Sequence, residues 1–342
     1  MSRKTSILII YTGGTVGMVQ DPVSGALKPL DFKQITNNVP ELARLNYLLT
    51  VYSFTPTLDS SNINLDAWLQ IAELIEKNYE QFDGFVVLHG SDTMAYSASM
   101  LSFLLENLSK PVIFTGSQLP IGEIRTDAKE NLITAIEIAA SKRSAKAVVP
   151  EVCIYFDYQL FRGNRAIKYN SAKFEAFRSI NYPLLAEAGV HLDFKLDKIS
   201  PATGLPLKVH KKIDPNVGVL KIFPGITHAA IEAILNTPNT HAVIIETFGS
   251  GNTSSSVWFL DCLRKAIERG LVILDISQCI GGSVELGRYE TSQHLNKMGV
   301  VSGFDMTFEA AITKLMFLLG QGFKGQELKQ MLETNLRGEL TK

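Results

Sequence analysis

Three glycine turns rich in hydroxyls and one lysine are the residues of this chain best equipped for chemistry. Thr12-Gly-Gly-Thr-Val-Gly17 follows the apolar run 7–11, His89-Gly-Ser-Asp-Thr-Met94 follows 85–88, and Thr115-Gly-Ser117 follows 112–114. A serine or threonine hydroxyl is a weak nucleophile at neutral pH and needs a neighbouring base. Asp92 is the carboxylate among these turns. Lys168, in Arg162-Gly-Asn-Arg-Ala-Ile-Lys168, can relay protons beside a carboxylate and hydroxyls if desolvation lowers its pKa. The set suits a hydroxyl nucleophile acting on a small polar molecule. Plainer readings stand beside this one: Ser91 and Asp92 also suit a helix N-cap, and charged loop residues such as 162–168 usually sit in solvent. His89 has no His or Cys at metal spacing, which reads as a structural histidine.

Bringing these residues to one point requires a particular scaffold. Short β-branched and aliphatic runs bounded by glycine read as strands buried on both faces, the habit of a parallel sheet. Open parallel sheets collect ligands at the carboxyl ends of their strands, so the three turns should share one crevice. Asn64 is placed to cap a helix over 65–79, whose apolar positions Leu65, Trp68, Leu69, Ala72 and Ile75 share a face. Further helices are expected over 93–107 and 127–140, and strands over 152–156, 217–222, 242–245 and 271–276. Between 192 and 215, Pro201, Gly204, Pro206 and Pro215 punctuate mixed polar sequence, a linker composition. The expected fold class is α/β, with two α/β domains. A larger N-terminal domain with a doubly wound, mostly parallel sheet spans 1–191, a linker 192–215, and a smaller C-terminal α/β domain 216–342, closing with helices over 306–319 and 325–336.

Composition narrows the function. With 342 residues, 46% of them hydrophobic, the chain can bury large cores. A net charge of −1 without any basic tract argues against nucleic acid and against a charged membrane surface. The apolar run ending at Thr12 is too short for a signal-peptide core, and nothing approaches the roughly 20 apolar residues of a membrane span. Cys153, Cys262 and Cys279, an odd count in or beside apolar runs, read as buried reduced thiols. A cytoplasmic location fits. Neither a metal nor an organic cofactor is expected. The turn at 12–17 lacks the first glycine of a dinucleotide fingerprint, and Asp21, Pro22, Ser24, Gly25 and Pro29 follow it where that fingerprint needs a helix.

The motifs recur in a fixed order: Tyr11-Thr-Gly-Gly-Thr-Val-Gly-Met18, the His89 turn, Lys110-Pro-Val-Ile113 with Thr115-Gly-Ser-Gln118, and Arg162-Gly-Asn-Arg165. Gln278-Cys279, Asp305-Met-Thr307 and Asn335-Leu-Arg-Gly-Glu-Leu340 complete the series. In that order they resemble the L-asparaginase family, specifically its bacterial cytoplasmic type I branch. The resemblance implies hydrolysis of L-asparagine to L-aspartate and ammonia through a threonine acyl-enzyme. Thr15 matches the nucleophile, and Ser91, Asp92 and Lys168 match a hydroxyl–carboxylate–lysine relay. By the same positions Asp92 would hold the substrate ammonium and Ser60 and Ser61 its carboxylate, while Ser117 would approach the amide through its backbone. Ser60 and Ser61 read equally well as turn residues before the helix at Leu65. The resemblance further implies a homo-oligomer, a dimer or a dimer of dimers (homotetramer), with the site near a subunit interface that Asn252 approaches. The plain reading of Asn252 is a loop residue beside two glycines. Two alternatives remain: a glutaminase-asparaginase or related amidohydrolase on the same scaffold, and an inactive amino-acid-binding sensor. The sensor would show loss of Thr15, Asp92 or Lys168, and all three are present.

Three positions depart from the family pattern. Ser91 stands where many members have threonine, which keeps the hydroxyl. No tyrosine lies between 16 and 30, where many bacterial relatives carry one in a flexible loop. Tyr289, in Gly287-Arg-Tyr-Glu290, matches a type I pattern and either supplies that hydroxyl from a neighbouring subunit or packs. Glu246 stands where some type I enzymes use an arginine to bind an asparagine effector. That regulation is therefore expected to be lost or altered, although Cys279 is retained.

Overall fold

The structure is a computed structural model and describes residues 3–20, 27–29, 38–288 and 290–342. The chain divides into two compact units, Met1–His210 and Lys211–Lys342.

The first unit is built on one eight-stranded sheet: β1 (Ser6–Gly13), β2 (Leu48–Leu58), β3 (Gly84–Leu88), β4 (Val112–Thr115), β5 (Val152–Phe156), β6 (Gln159–Arg162), β7 (Ala186–Ala188) and β8 (Leu192–Phe194). The strand order is β8-β7-β6-β5-β4-β3-β1-β2. β1 to β5 pair in parallel, and β5 to β8 form an antiparallel meander. β1, β3, β4 and β5 are buried along their whole length, as their unbroken apolar runs require. From β1 the chain steps outward to β2, then returns to place β3 on the other flank of β1. The order reverses between β1 and β3, the point at which a doubly wound sheet opens a crevice.

Helices α1 (Leu65–Asn78), α2 (Met94–Leu104) and α3 (Ala128–Ala140) accompany this sheet. The Asn64 side chain caps α1 by accepting from the Ala67 N–H at 3.0 Å. Trp68, Ile71, Ala72 and Ile75 are buried there, while Leu65 and Leu69 are half-buried. α2 ends short of Asn107 because Leu105–Glu106 leaves the helix to pair with Lys208–Val209. That pairing, together with β8, places strand structure inside the interval 192–215.

The second unit holds a four-stranded parallel sheet, β9 (Val217–Lys221), β10 (Ala242–Thr247), β11 (Val272–Ser277) and β12 (Val301–Ser302), in sequential order. Its helices are α4 (His228–Leu235), α5 (Val257–Glu268), α6 (Glu290–Met298), α7 (Phe308–Gly320) and α8 (Gly325–Leu332). Leu220, Ile231, Val243, Ile245, Phe259, Leu263 and Ile273 form its core. The chain end is tied down by an ion pair of two fully buried groups, Lys314 and Glu339, at 2.6 Å. Lys314 also donates to the Leu332 and Thr334 carbonyls, and Glu339 accepts from the backbone of Leu336 and Arg337. Those bonds hold 335–340 as a turn after α8, which stops at Leu332. Among the described residues no helix is long and apolar enough to cross a membrane.

Candidate active site

β1 and β3 lie side by side with Tyr11 opposite Leu88, so the turns that follow leave the sheet together. The Thr12 hydroxyl donates to the Leu88 carbonyl at 2.9 Å. A Cβ on Gly14 (φ 91°) would come within 2.5 Å of the Gly90 backbone, and one on Gly90 within 2.5 Å of Ser60 Oγ. Only glycine allows this approach. Segments 12–15 and 89–93 therefore touch through their backbones, the Ser60 side chain packs on Gly90, and Thr93 Oγ1 adds a 2.7 Å bond to the Ser60 carbonyl. Thr15 opens a 3₁₀ turn, Thr15–Gly17, one residue beyond the Gly14–Gly90 contact. Tyr11 holds that turn by donating to the Gly17 carbonyl at 3.1 Å; burial pushes its pKa up to about 12, so it stays a neutral donor. Met18–Gln20 then pairs antiparallel with Leu27–Pro29. A strand pair stands where a nucleotide fold would need a helix.

Lys168 arrives from the other side. Arg162 and Arg165, read from sequence as solvated, are buried at 4% and 2% exposure. The reason is pairing: Arg162 grips Glu151 through Nε at 2.6 Å and Nη2 at 3.1 Å, and its guanidinium covers the Tyr182 ring at 4.3 Å. So anchored, the segment runs into Ile167–Lys168, which pairs with Phe177–Arg178. Lys168 Nζ donates to Ser91 Oγ at 2.9 Å and forms an ion pair with Asp92. The Lys168 side chain is 17% exposed and that of Asp92 is 64% exposed, so the lysine is enclosed while the carboxylate faces outward. Ser91 in turn donates to Gln118 Oε1 at 3.1 Å.

His89, fully buried, belongs to the scaffold. Its Nδ1 faces the Gly90 carbonyl at 2.7 Å and must carry the proton, so Nε2 accepts from Ser97 Oγ at 2.9 Å. Ser97 accepts from Trp68 Nε1 at 2.8 Å. Burial pushes the His89 pKa down from 6.5 to about 4. A histidine with a depressed folded pKa loses stability as pH falls from its unfolded value toward its folded one. Wild type should therefore lose stability relative to His89→Gln between pH 6.5 and about 4, at about 1.4 kcal/mol per pH unit. Urea unfolding of both proteins across that range checks this, and a constant difference would mean His89 does not titrate with folding.

The comparisons agree across both units. The family profile described as "Asparaginase, N-terminal" matches residues 6–200, and "Glutaminase/Asparaginase C-terminal domain" matches 216–332. L-asparaginase 1 of Escherichia coli (strain K12) is 41% identical over 345 residues, covering 99% of each chain. The chain belongs to the asparaginase family. The crystal structure of L-asparaginase I from Vibrio cholerae superposes with a TM-score of 0.90 at 39% identity, covering 99% of this chain and 100% of that one. A mouse 60 kDa lysophospholipase is 40% identical over 365 residues, covering 100% of this chain and 63% of that protein. The mixed α/β architecture, with a large parallel-rich sheet and a smaller parallel one, is that of the solved asparaginases.

In this asparaginase-family chain, Ser60, Ser91, Asp92 and Lys168 gather at the β1/β3 reversal point, and Thr15 follows Gly14, whose backbone meets Gly90 there. Ser61 lies beside them, but its N–H and hydroxyl both bond Asp59, at 2.8 and 2.6 Å. Ser117 is buried, its hydroxyl donating to the Leu119 carbonyl at 2.6 Å. Asn252 belongs to the second unit, where it bridges back to Phe248 in a glycine-rich turn. Tyr289 lies outside the described residues. Glu246, on β10, is ion-paired with Lys221 at 2.9 Å. Gln118, quoted in the sequence only as part of a motif, proves to touch Ser91; its place one residue after Ser117 at a strand end was the available signal. Among the described residues, His228, Glu232 and Cys262 of the second unit bring metal-capable atoms within 4.8 Å of one another. They share no residue with the hydroxyl–lysine cluster.

Proposed function

We propose that the chain hydrolyses L-asparagine to L-aspartate and ammonia through an acyl-enzyme on Thr15. The observation that carries this reading is the contact of Lys168 with both Ser91 and Asp92 at the end of β3, beside the turn that bears Thr15. In the first step Thr15 Oγ1 adds to the side-chain amide carbon, and its proton passes to the nitrogen that leaves as ammonia. In the second, water adds to the resulting ester and frees aspartate while Thr15 regains its proton. Backbone N–H groups of the 89–93 turn are candidates for stabilising the oxyanion. Asp92, exposed enough to meet a ligand, would take the substrate ammonium. Ser60 and Ser61 would take the carboxylate, with Ser61 exchanging Asp59 for it, and Ser117 would meet the amide through its backbone. The homo-oligomer, the interface role of Asn252 and the part of Tyr289 rest on the family resemblance. Cys153 and Cys262 are buried, whereas Cys279, expected buried, is exposed because it lies in the turn beyond the end of β11 at Ser277; the three free thiols support a reduced, cytoplasmic setting.

A second reading, activity on glutamine as well, is favoured by the C-terminal match to a glutaminase/asparaginase domain. Glutamine differs by one methylene, worth about 1–3 kcal/mol in a pocket, or roughly 10–200-fold. Ammonia release from L-asparagine and L-glutamine side by side decides between them. The expected result is a preference for asparagine of at least about tenfold, with a hyperbolic rate curve because Glu246 replaces the effector-binding arginine. Comparable rates would move the assignment to the second reading. Silence on both amides would sink the proposal.

A further inference from the structure

A serine hydroxyl has one proton to give and two lone pairs to offer. At Ser91 the proton is directed at Gln118 Oε1, at 3.1 Å, and one lone pair is taken by the Lys168 ammonium, at 2.9 Å. Gln118 is held on every side. Its Nε2 donates to the Lys173 carbonyl at 3.0 Å, and its backbone N–H meets the Asp127 carboxylate at 2.9 and 3.1 Å. Leu119 N–H and Asn131 Nδ2 fix that carboxylate in turn, at 3.1 and 3.2 Å. The Lys173 contact sets the orientation of the Gln118 amide, since a flip would turn Oε1 against the Lys173 carbonyl. The Ser91 proton thus has a fixed acceptor.

We propose that Gln118 is a positioning residue that acts through Ser91. Its side-chain carbonyl accepts the Ser91 proton and so keeps that hydroxyl from donating into the crevice. Ser91 then presents its remaining lone pair to the reacting groups, where it can accept from the substrate's amide NH₂ or from the attacking water. This rests on the reading above in which Ser91 serves the reaction. Gln118 itself touches no reacting atom in this arrangement, so its contribution must vanish when Ser91 has no hydroxyl to orient.

A double-mutant cycle reads that dependence. Ser91→Ala, Gln118→Met and the double variant are assayed for kcat and KM by ammonia release, with urea unfolding as a check on folding. Gln118→Met should lower kcat about tenfold, the scale of one lost hydrogen bond, with KM changed less than about threefold. Added to Ser91→Ala, the same change should alter kcat less than about twofold. If Gln118→Met does not fold, Gln118→Asn, one methylene too short to reach Ser91, carries the same expectations. Equal losses in both backgrounds, or no loss in the wild-type background, would overturn the proposal while leaving Ser91 in the reaction. An unchanged kcat in Ser91→Ala would overturn the reading of Ser91 and the proposal together.

Discussion

Thr15→Ala should lower kcat for ammonia release from asparagine by at least about 10⁴-fold, with the fold intact. The turn after β1 offers two threonine hydroxyls, and their environments separate them. Thr12 is 1% exposed and its hydroxyl ties β1 to the Leu88 carbonyl, a structural bond. Thr15 is half-buried, at the mouth of the 3₁₀ turn and one residue past the backbone contact with Gly90. Removing its hydroxyl takes away no strand or helix bond, so circular dichroism and the unfolding midpoint should stay at wild-type values. Thr15→Ser, which keeps a hydroxyl, should retain measurable turnover. Mass spectrometry of acid-quenched protein gives a second readout: wild type should carry a β-aspartyl ester under turnover, and Thr15→Ala should not. Turnover within about tenfold of wild type in the alanine variant would remove Thr15 from the nucleophile's role and point to another hydroxyl in the crevice.

How far the site could be read from sequence depended on what kind of force places each residue. The turns at 12–15 and 89–93 were legible because glycine and hydroxyl residues closing an apolar run carry a local message, and β1, β3 and β4 formed as that message requires. The reversal of strand order between β1 and β3 follows once β2 lies on the outer edge. Yet β2 itself was missed: most of its side chains are exposed or half-buried, so no apolar run marks it. The strands β6 to β8 were missed because, unlike the equally short β4, their sequences Gln-Leu-Phe-Arg, Ala-Glu-Ala and Leu-Asp-Phe form no unbroken apolar run. Arg162 looked like a surface charge because its partner Glu151 lies across the β5–β6 hairpin, where Cys153 pairs with Arg162. Spacing alone does not announce a buried ion pair of that kind. Gln118 reaches Ser91 over a separation of 27 residues, through a contact that only the parallel pairing of β3 with β4 creates. Propensity and period specify backbone; the direction of a polar side chain is a tertiary property.

Lys168→Met should lower kcat by about 10²–10⁴-fold, the range expected for losing a positioned proton-transfer group. Methionine nearly matches the lysine stem in length and removes the ammonium, so the packing of Ile167–Lys168 against Phe177–Arg178 should survive. The stability cost should be small, within about 1 kcal/mol, because Asp92 is 64% exposed and returns to water when its partner is lost. Activity and stability should therefore separate, whereas the buried Arg162–Glu151 pair, which anchors the same segment, would lose both together. Lys168→Arg sharpens the test. It keeps a positive charge beside Asp92, but its planar fork cannot set one N–H at 2.9 Å from Ser91 Oγ with the same approach, and it does not give up a proton near neutral pH. If Lys168 acts by exchanging a proton, arginine should be nearly as slow as methionine. If arginine restores the rate to within about threefold of wild type, the lysine serves only as a fixed charge, and the relay among Ser91, Asp92 and Lys168 is the wrong mechanism for this site.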